Sequence, residues 1–353
     1  MGEEFEEFRS DIPEEVPENS GNDENEVSAK AAFSRIGWIL AIGSVLFIGI
    51  QYGAILLYRR VVPADKIDVN AMLIVELIPT YLFTMPLIIY LLGTLPGILP
   101  QKRKMTVMQF FGAMASCFGI MITCNLAGIL LTGIIGRILG RGVENQVEIL
   151  LSDLNPLVAL LAVSVAAPVM EELVFRKMLI SRVLPYGEGI AILLSGLTFG
   201  LFHGNLNQFG YTVGLGLFLG FVYIRTGKIG ITIALHSIIN FSSSVLGAYV
   251  IKEFYTPQLQ HLIANRQSSE LMVYLAENTG KFLMFFAYLA VEYGLALAGV
   301  VLVIVWLCLG RFRLAPGSLG RGKAGRLAFG NAGMILFCVF WIGMIITQLF
   351  GIR

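Results

Sequence analysis

Three short stretches of this chain hold the residue types that do chemistry: Glu171-Glu172-xxx-Arg176, Phe199-xxx-His203 and His236-xxx-Asn240. Glu172 and Arg176, Phe199 and His203, and His236 and Asn240 are each four residues apart and so share one face of a helix. Glu172 and Arg176 are thus predicted to form an ion pair. Glu171 is turned from Glu172 by roughly 100°, and its own neighbour one turn on is Phe175. One carboxylate is then structural and the other is free for chemistry. Phe199 can pack on the ring of His203 and fix its rotamer. His236 and Asn240 project two hydrogen-bond donors from one face, an arrangement suited to an oxyanion hole.

These polar residues interrupt apolar runs, where a charge costs several kcal/mol unless it is paired or lines a polar cavity. The chain has 353 residues, of which 56% are hydrophobic and 14% charged, with a mean hydropathy of +0.77. A soluble domain would carry about a quarter charged residues. Apolar runs recur near the ~20 residues that cross a bilayer as helix, whereas barrel strands alternate over about ten. The expected class is an all-α, polytopic membrane protein of 8–9 transmembrane helices around an intramembrane cavity. The net charge of +1 has no basic patch behind it, which argues against a nucleic-acid partner. The partners expected are membrane lipid and a peptide or a lipidated or membrane protein as substrate. Cys117, Cys124, Cys308 and Cys338 form no CxxC pair, so they read as small apolar residues.

The elements that must position the three stretches follow in order. Residues 1–35 read as a disordered acidic tail, with 11 of the 24 acidic residues within the first 30. Residues 36–155 hold Ile36–Tyr58, Met72–Leu99 with Pro79, Pro86 and Pro96, and Val107 to about Ile135, then a segment Arg137–Asn155 expected to lie at the interface. Residues 156–250 are the expected catalytic core, with spans Pro156–Ile180, Gly189–His203, Gly210–Ile224 and Ile229–Ile251. The second and third are short and joined by the uncharged polar turn at 204–208, a sign of helices that stop inside the membrane. Gly216-xxx-Gly220 is spaced for close helix packing. Residues 251–353 hold a loop with His261, read as interfacial, then Phe282–Cys308 with Glu292, a basic loop, and Asn331–Phe350. The balance of Lys and Arg between the two sides favours a cytoplasmic N-terminus and an integral membrane location.

From the charged ends near Arg182, Glu188 and Lys228, Glu171 lies ~16 Å deep, His203 ~22 Å, His236 ~12 Å and Asn240 ~18 Å at helical rise. Polar stretches of three spans thus reach the middle of a core ~30 Å thick. Pro168 removes the bond to the Ser164 carbonyl and is expected to bend the helix just before the acids.

The ordered set Glu-Glu-x-x-x-Arg, Phe-x-x-x-His and His-x-x-x-Asn, over residues 156–247, resembles the CAAX protease and bacteriocin-processing family, also called the Abi family. Its eukaryotic members are CAAX prenyl endopeptidases of the Ras-converting type. The resemblance implies a membrane endopeptidase in which Glu171 is the general base, assisted by His203. It implies that His236 and Asn240 stabilise the oxyanion and that Glu172 and Arg176 organise the site. No cofactor is expected; the alternative is Zn²⁺ held by Glu171, His203 and His236 with water in the fourth position. No His-Glu-x-x-His or Gly-x-Ser-x-Gly occurs, and no Asp lies inside a span. The other readings are a catalytically silent immunity or scaffold protein of the same family, and a proton-coupled transporter or sensor using Glu171, Glu292 and the histidines.

Overall fold

The computed structural model describes residues 22–143 and 154–350. Helix α1 (Asn22–Val61) is followed by α2 (Val69–Gly93) and α3 (Val107–Leu139), then by α4 (Pro156–Tyr186), α5 (Glu188–Phe202), α6 (Leu206–Thr226) and α7 (Ile229–Phe254). Two short helices, α8 (Pro257–Ala264) and α9 (Ser268–Glu277), lead to α10 (Thr279–Cys308), α11 (Arg321–Phe329) and α12 (Ala332–Phe350). Among the described residues eight of these helices are long and apolar enough to cross a membrane, and α5 is shorter. The chain is therefore a polytopic α-helical integral membrane protein.

Several expectations shift at their edges. Residues 22–35, expected in the disordered tail, belong to α1, because Ala29 and Phe33 are buried against the core. That burial stabilises helix where composition alone predicts none. Residues 1–21 and 144–153, the latter the greater part of the expected interfacial segment, lie outside the described residues; residues 137–139 close α3. Helix α6 starts at Leu206 rather than Gly210 and is 21 residues long, so it is not a short span. Asn205 starts it early by accepting from the Asn207 backbone N–H at 2.8 Å. Helix α5 does stop short. Gly204 takes φ +59°, a left-handed conformation that ends the helix one residue past His203.

Two apolar cores meet at the site. One joins α1, α4, α5 and α12 through Phe33, Phe175, Phe199 and Trp341; the other joins α3, α6, α7 and α10 through Phe118, Leu219, Leu235 and Ala296. Glu172 and Arg176 flank Phe175 on one side of the seam, and His236 lies between Leu235 and Ile239 on the other. Helix α6 is the most enclosed span, with 56% of its most apolar window buried, against 17% in α3 and α10. It is the post on which α5 is hung.

The α5–α6 contact depends on glycine. A Cβ on Gly216 would lie 2.9 Å from the Gly196 Cα and 3.1 Å from the Phe199 ring. Gly216→Ala should therefore destabilise the protein by about 1–3 kcal/mol, since backbone cannot yield as a side chain can. Gly189→Ala, whose Cβ would meet Leu314 at an ordinary 3.6 Å, should unfold with the wild type. Thermal unfolding in detergent compares the two.

Candidate active site

Helix α4 carries both acids through a backbone that departs twice from α-helical register. It is π-helical over Ala159–Ala166 and Glu172–Ile180, with an α-helical turn at Ala167–Glu171 between them. Such widened turns are frequent at functional sites. Within this frame Arg176 Nε lies 3.3 Å from Glu172 Oε2, and both side chains are fully buried. The predicted pair is present. Apart from that contact, no guanidinium nitrogen of Arg176 has a hydrogen-bond partner among the described residues. Its Cζ instead stands 4.2 Å from the centre of the Phe199 ring, where the π face meets a cation favourably.

His236 arrives from α7 and lies between the two acids. Its Nδ1–H donates to Glu172 Oε1 at 3.0 Å, and its Nε2 is 3.7 Å from Glu171 Oε2. Thr232, one turn earlier on α7 and fully buried, also faces Glu172. Glu171 is 16% exposed and Glu172 fully buried, so the free and the structural carboxylate differ in access as well as in partners.

His203 sits at the end of α5, with Nδ1–H donating to the Phe199 carbonyl at 2.8 Å. In the neutral ring this bond selects the tautomer whose Nε2 is the acceptor. Phe199 meets His203 edge to face with ring centres 4.9 Å apart, as the i, i+4 spacing predicts, and meets His236 likewise at 5.7 Å. One phenyl ring thus spaces Arg176 and both histidines. His203 lies within reach of the charges of Glu171, Arg176 and His236.

Asn240 does not stand free beside His236. Its Nδ2 donates to the Val163 carbonyl at 2.9 Å. The expected orphan was Ser164, four residues before Pro168. In the widened register Ala167 N–H bonds to Ala162, five residues back. The next carbonyl, Val163, would then pair with residue 168, a proline with no N–H to give. Asn240 replaces that missing donor, and its second N–H remains.

Sequence reasoning missed Thr232, though it lies four residues before His236 and the same spacing rule finds it. It also missed Tyr81 of α2 and Tyr211 of α6, both within reach of the Glu171 charge; no motif marks either. Among the described residues no three His, Cys, Asp or Glu side chains form a group that could hold a metal ion, the set Glu171, His203 and His236 included. Glu292, considered for a proton relay, accepts a hydrogen bond from the Ser242 hydroxyl. His261 is exposed, and all four cysteines are free thiols.

Breaking the buried pair should cost about 3–5 kcal/mol, because the partner left behind is a buried, uncompensated charge. Arg176→Ala and Glu172→Gln should therefore both lower folded yield and the unfolding midpoint. Glu171→Gln, at a partly exposed carboxylate outside the pair, should leave both near wild type. Size-exclusion profiles and thermal unfolding of the three variants separate the roles.

Residues 153–242 match the family model described as type II CAAX prenyl endopeptidase Rce1-like. No curated protein and no solved structure matches the chain. The matched segment contains Glu171, Glu172, Arg176, Phe199, His203, His236 and Asn240. The match spans 90 of the 353 residues and lies among the apolar helices of this integral membrane protein.

Proposed function

We propose that the protein is an endopeptidase that hydrolyses a peptide bond inside the membrane, with water activated by side chains and without a metal or covalent nucleophile. The observation that carries this reading is the bracketing of His236 by Glu172 and Glu171, at 3.0 and 3.7 Å, within the family-matched segment.

A water between Glu171 and the Nε2 of His203 would donate one hydrogen to each and turn its lone pair toward the substrate carbonyl. Glu171 takes a proton as the water attacks. The nearest acceptor for that proton is His236 Nε2, and Glu172 stabilises the imidazolium that forms. The protonated ring and the second amide N–H of Asn240 then face the oxyanion, a preorganised pair of donors in a water-poor site. Collapse of the tetrahedral intermediate returns the proton to the leaving amine, and the products are an acid and an amine. Arg176 stays paired with Glu172 throughout.

The substrate that suits the site is a lipidated or membrane-anchored protein whose cleavage point can reach the middle of the bilayer. A prenylated chain ending in a CAAX sequence is the first candidate by the family's description. The N-terminus lies on the cytoplasmic side, as the balance of Lys and Arg favours, and membrane lipid surrounds the apolar helices.

Purified protein in liposomes should cleave a farnesylated CAAX peptide, and Glu171→Gln and His203→Ala should each lower kcat by about 10²–10⁴-fold, the usual share of a general base. Activity should survive a chelator, and metal analysis should find less than stoichiometric zinc. Full activity in Glu171→Gln overturns the assignment. Solute flux without cleavage of this or a randomised membrane peptide indicates transport instead, and neither flux nor cleavage indicates a silent family member.

A further inference from the structure

Glu292 is a carboxylate in the middle of α10, 7% exposed, and the mechanism above makes no use of it. It faces the one π-helical stretch of α7, Ser242–Gly247, which starts two residues after Asn240. The Ser242 hydroxyl donates to Glu292 Oε1, and the Tyr288 hydroxyl donates to the Ser242 carbonyl at 3.2 Å. A Cβ on Gly247 would fall 2.5 Å from the Tyr288 hydroxyl oxygen, so that hydroxyl fills the room a side chain would need. Helix α10 thus grips the widened turn at both ends, at Ser242 and at Gly247.

The other face of the turn is tied to α4. The Asn240 carbonyl accepts from the Ser244 hydroxyl at 2.6 Å, and Ser244 Oγ is 3.1 Å from Ser164 Oγ. Ser164 follows Val163, whose carbonyl takes the Asn240 side chain. Asn240 is therefore fixed by its side chain to Val163 and by its main chain, through Ser244, to the next residue of α4. The register of both attachments is set by the same wide turn. A carboxyl that only joined two helices would serve at any exposed hydroxyl along α7. This one is bonded inside the turn, beside a glycine that admits a tyrosine.

We propose that Glu292 and Tyr288 are positioning residues for Asn240. They hold the turn at 242–247 open, which keeps the Asn240 amide on the Val163 carbonyl and its second N–H toward the reacting carbonyl. This rests on the reading of Asn240 as an oxyanion donor. It adds α10, which lies wholly outside the matched residues 153–242, to the working parts of the site.

The test uses the full chain in liposomes, a farnesylated CAAX peptide, and hydrogen–deuterium exchange of residues 238–248. Tyr288→Phe and Glu292→Leu should lower kcat about five- to tenfold with KM unchanged, as expected for an interaction made only in the transition state. Glu292→Gln, which keeps an acceptor for Ser242, should restore most of it. In an Asn240→Ala background the same two substitutions should have no further effect, because coupled residues do not add. Exchange at 238–248 should rise in Tyr288→Phe and Glu292→Leu and not in Glu292→Gln. Equal losses with and without Asn240, or unchanged exchange, overturn the proposal. If the wild type cleaves nothing, the peptidase reading fails by itself, and the exchange result still decides whether α10 holds the turn. If Glu292→Leu does not fold, Tyr288→Phe carries the comparison.

Discussion

A guanidinium with no access to solvent has to be neutralised where it stands. Arg176 is fully buried, and the anion paired with it is the equally buried Glu172. That constraint ranks the two adjacent acids. The carboxylate held by Arg176 and His236 is committed, so its neighbour, with 16% exposure, is the one with access to reactants. Adjacent glutamates of the same chemistry thus acquire different work from burial alone. A buried pair of this kind contributes little net stability over an apolar replacement. What it supplies here is an orientation for His236, through a bond made by the second oxygen of the same carboxylate.

The same logic extends to the ring of Phe199. Where a buried guanidinium lacks hydrogen-bond acceptors, a phenyl group can place polar side chains through its quadrupole, face to a cation and edge to other rings. Phe199 does both, meeting Arg176 at 4.2 Å and the histidines at 4.9 and 5.7 Å. Its own carbonyl fixes the tautomer of His203. One residue therefore sets the spacing of the site and the tautomer of the histidine proposed to hold the water.

Much of this was legible from residues four apart. The Glu172–Arg176 pair, the Phe199–His203 contact and the order of the apolar helices all follow from helical period and hydropathy. The seven residues singled out on the three stretches fall within the family-matched segment. What could not be read was register. Nothing in the residues around Pro168 announces that the preceding turn widens, so the orphan carbonyl was expected at Ser164 and stands at Val163. Nor does composition show that Ala29 and Phe33 have a partner, which is why α1 begins inside the expected tail. Period and hydropathy describe a helix by itself. A π turn or a buried terminus is decided by what lies across the contact.

That dependence on the far side of each contact explains why a short matched segment sits in a longer chain. The turn that ends α5 after His203 is closed by α12: a Cβ on Gly204 would lie 3.0 Å from the Trp341 ring, and Gln348 accepts from the Leu206 N–H at 3.5 Å. Trp341 is in turn fixed to α1 by its indole N–H on Ser44 at 2.9 Å. Helices α1 and α12 thus hold the His203 side of the site, and α10 grips the turn beside Asn240. The proposed reacting groups come from three helices of one segment: His203 sits at a helix end, and Glu171 and Asn240 lie next to widened turns. Backbone there is the least able to hold its own shape, and rigid neighbours from outside the segment make up the difference.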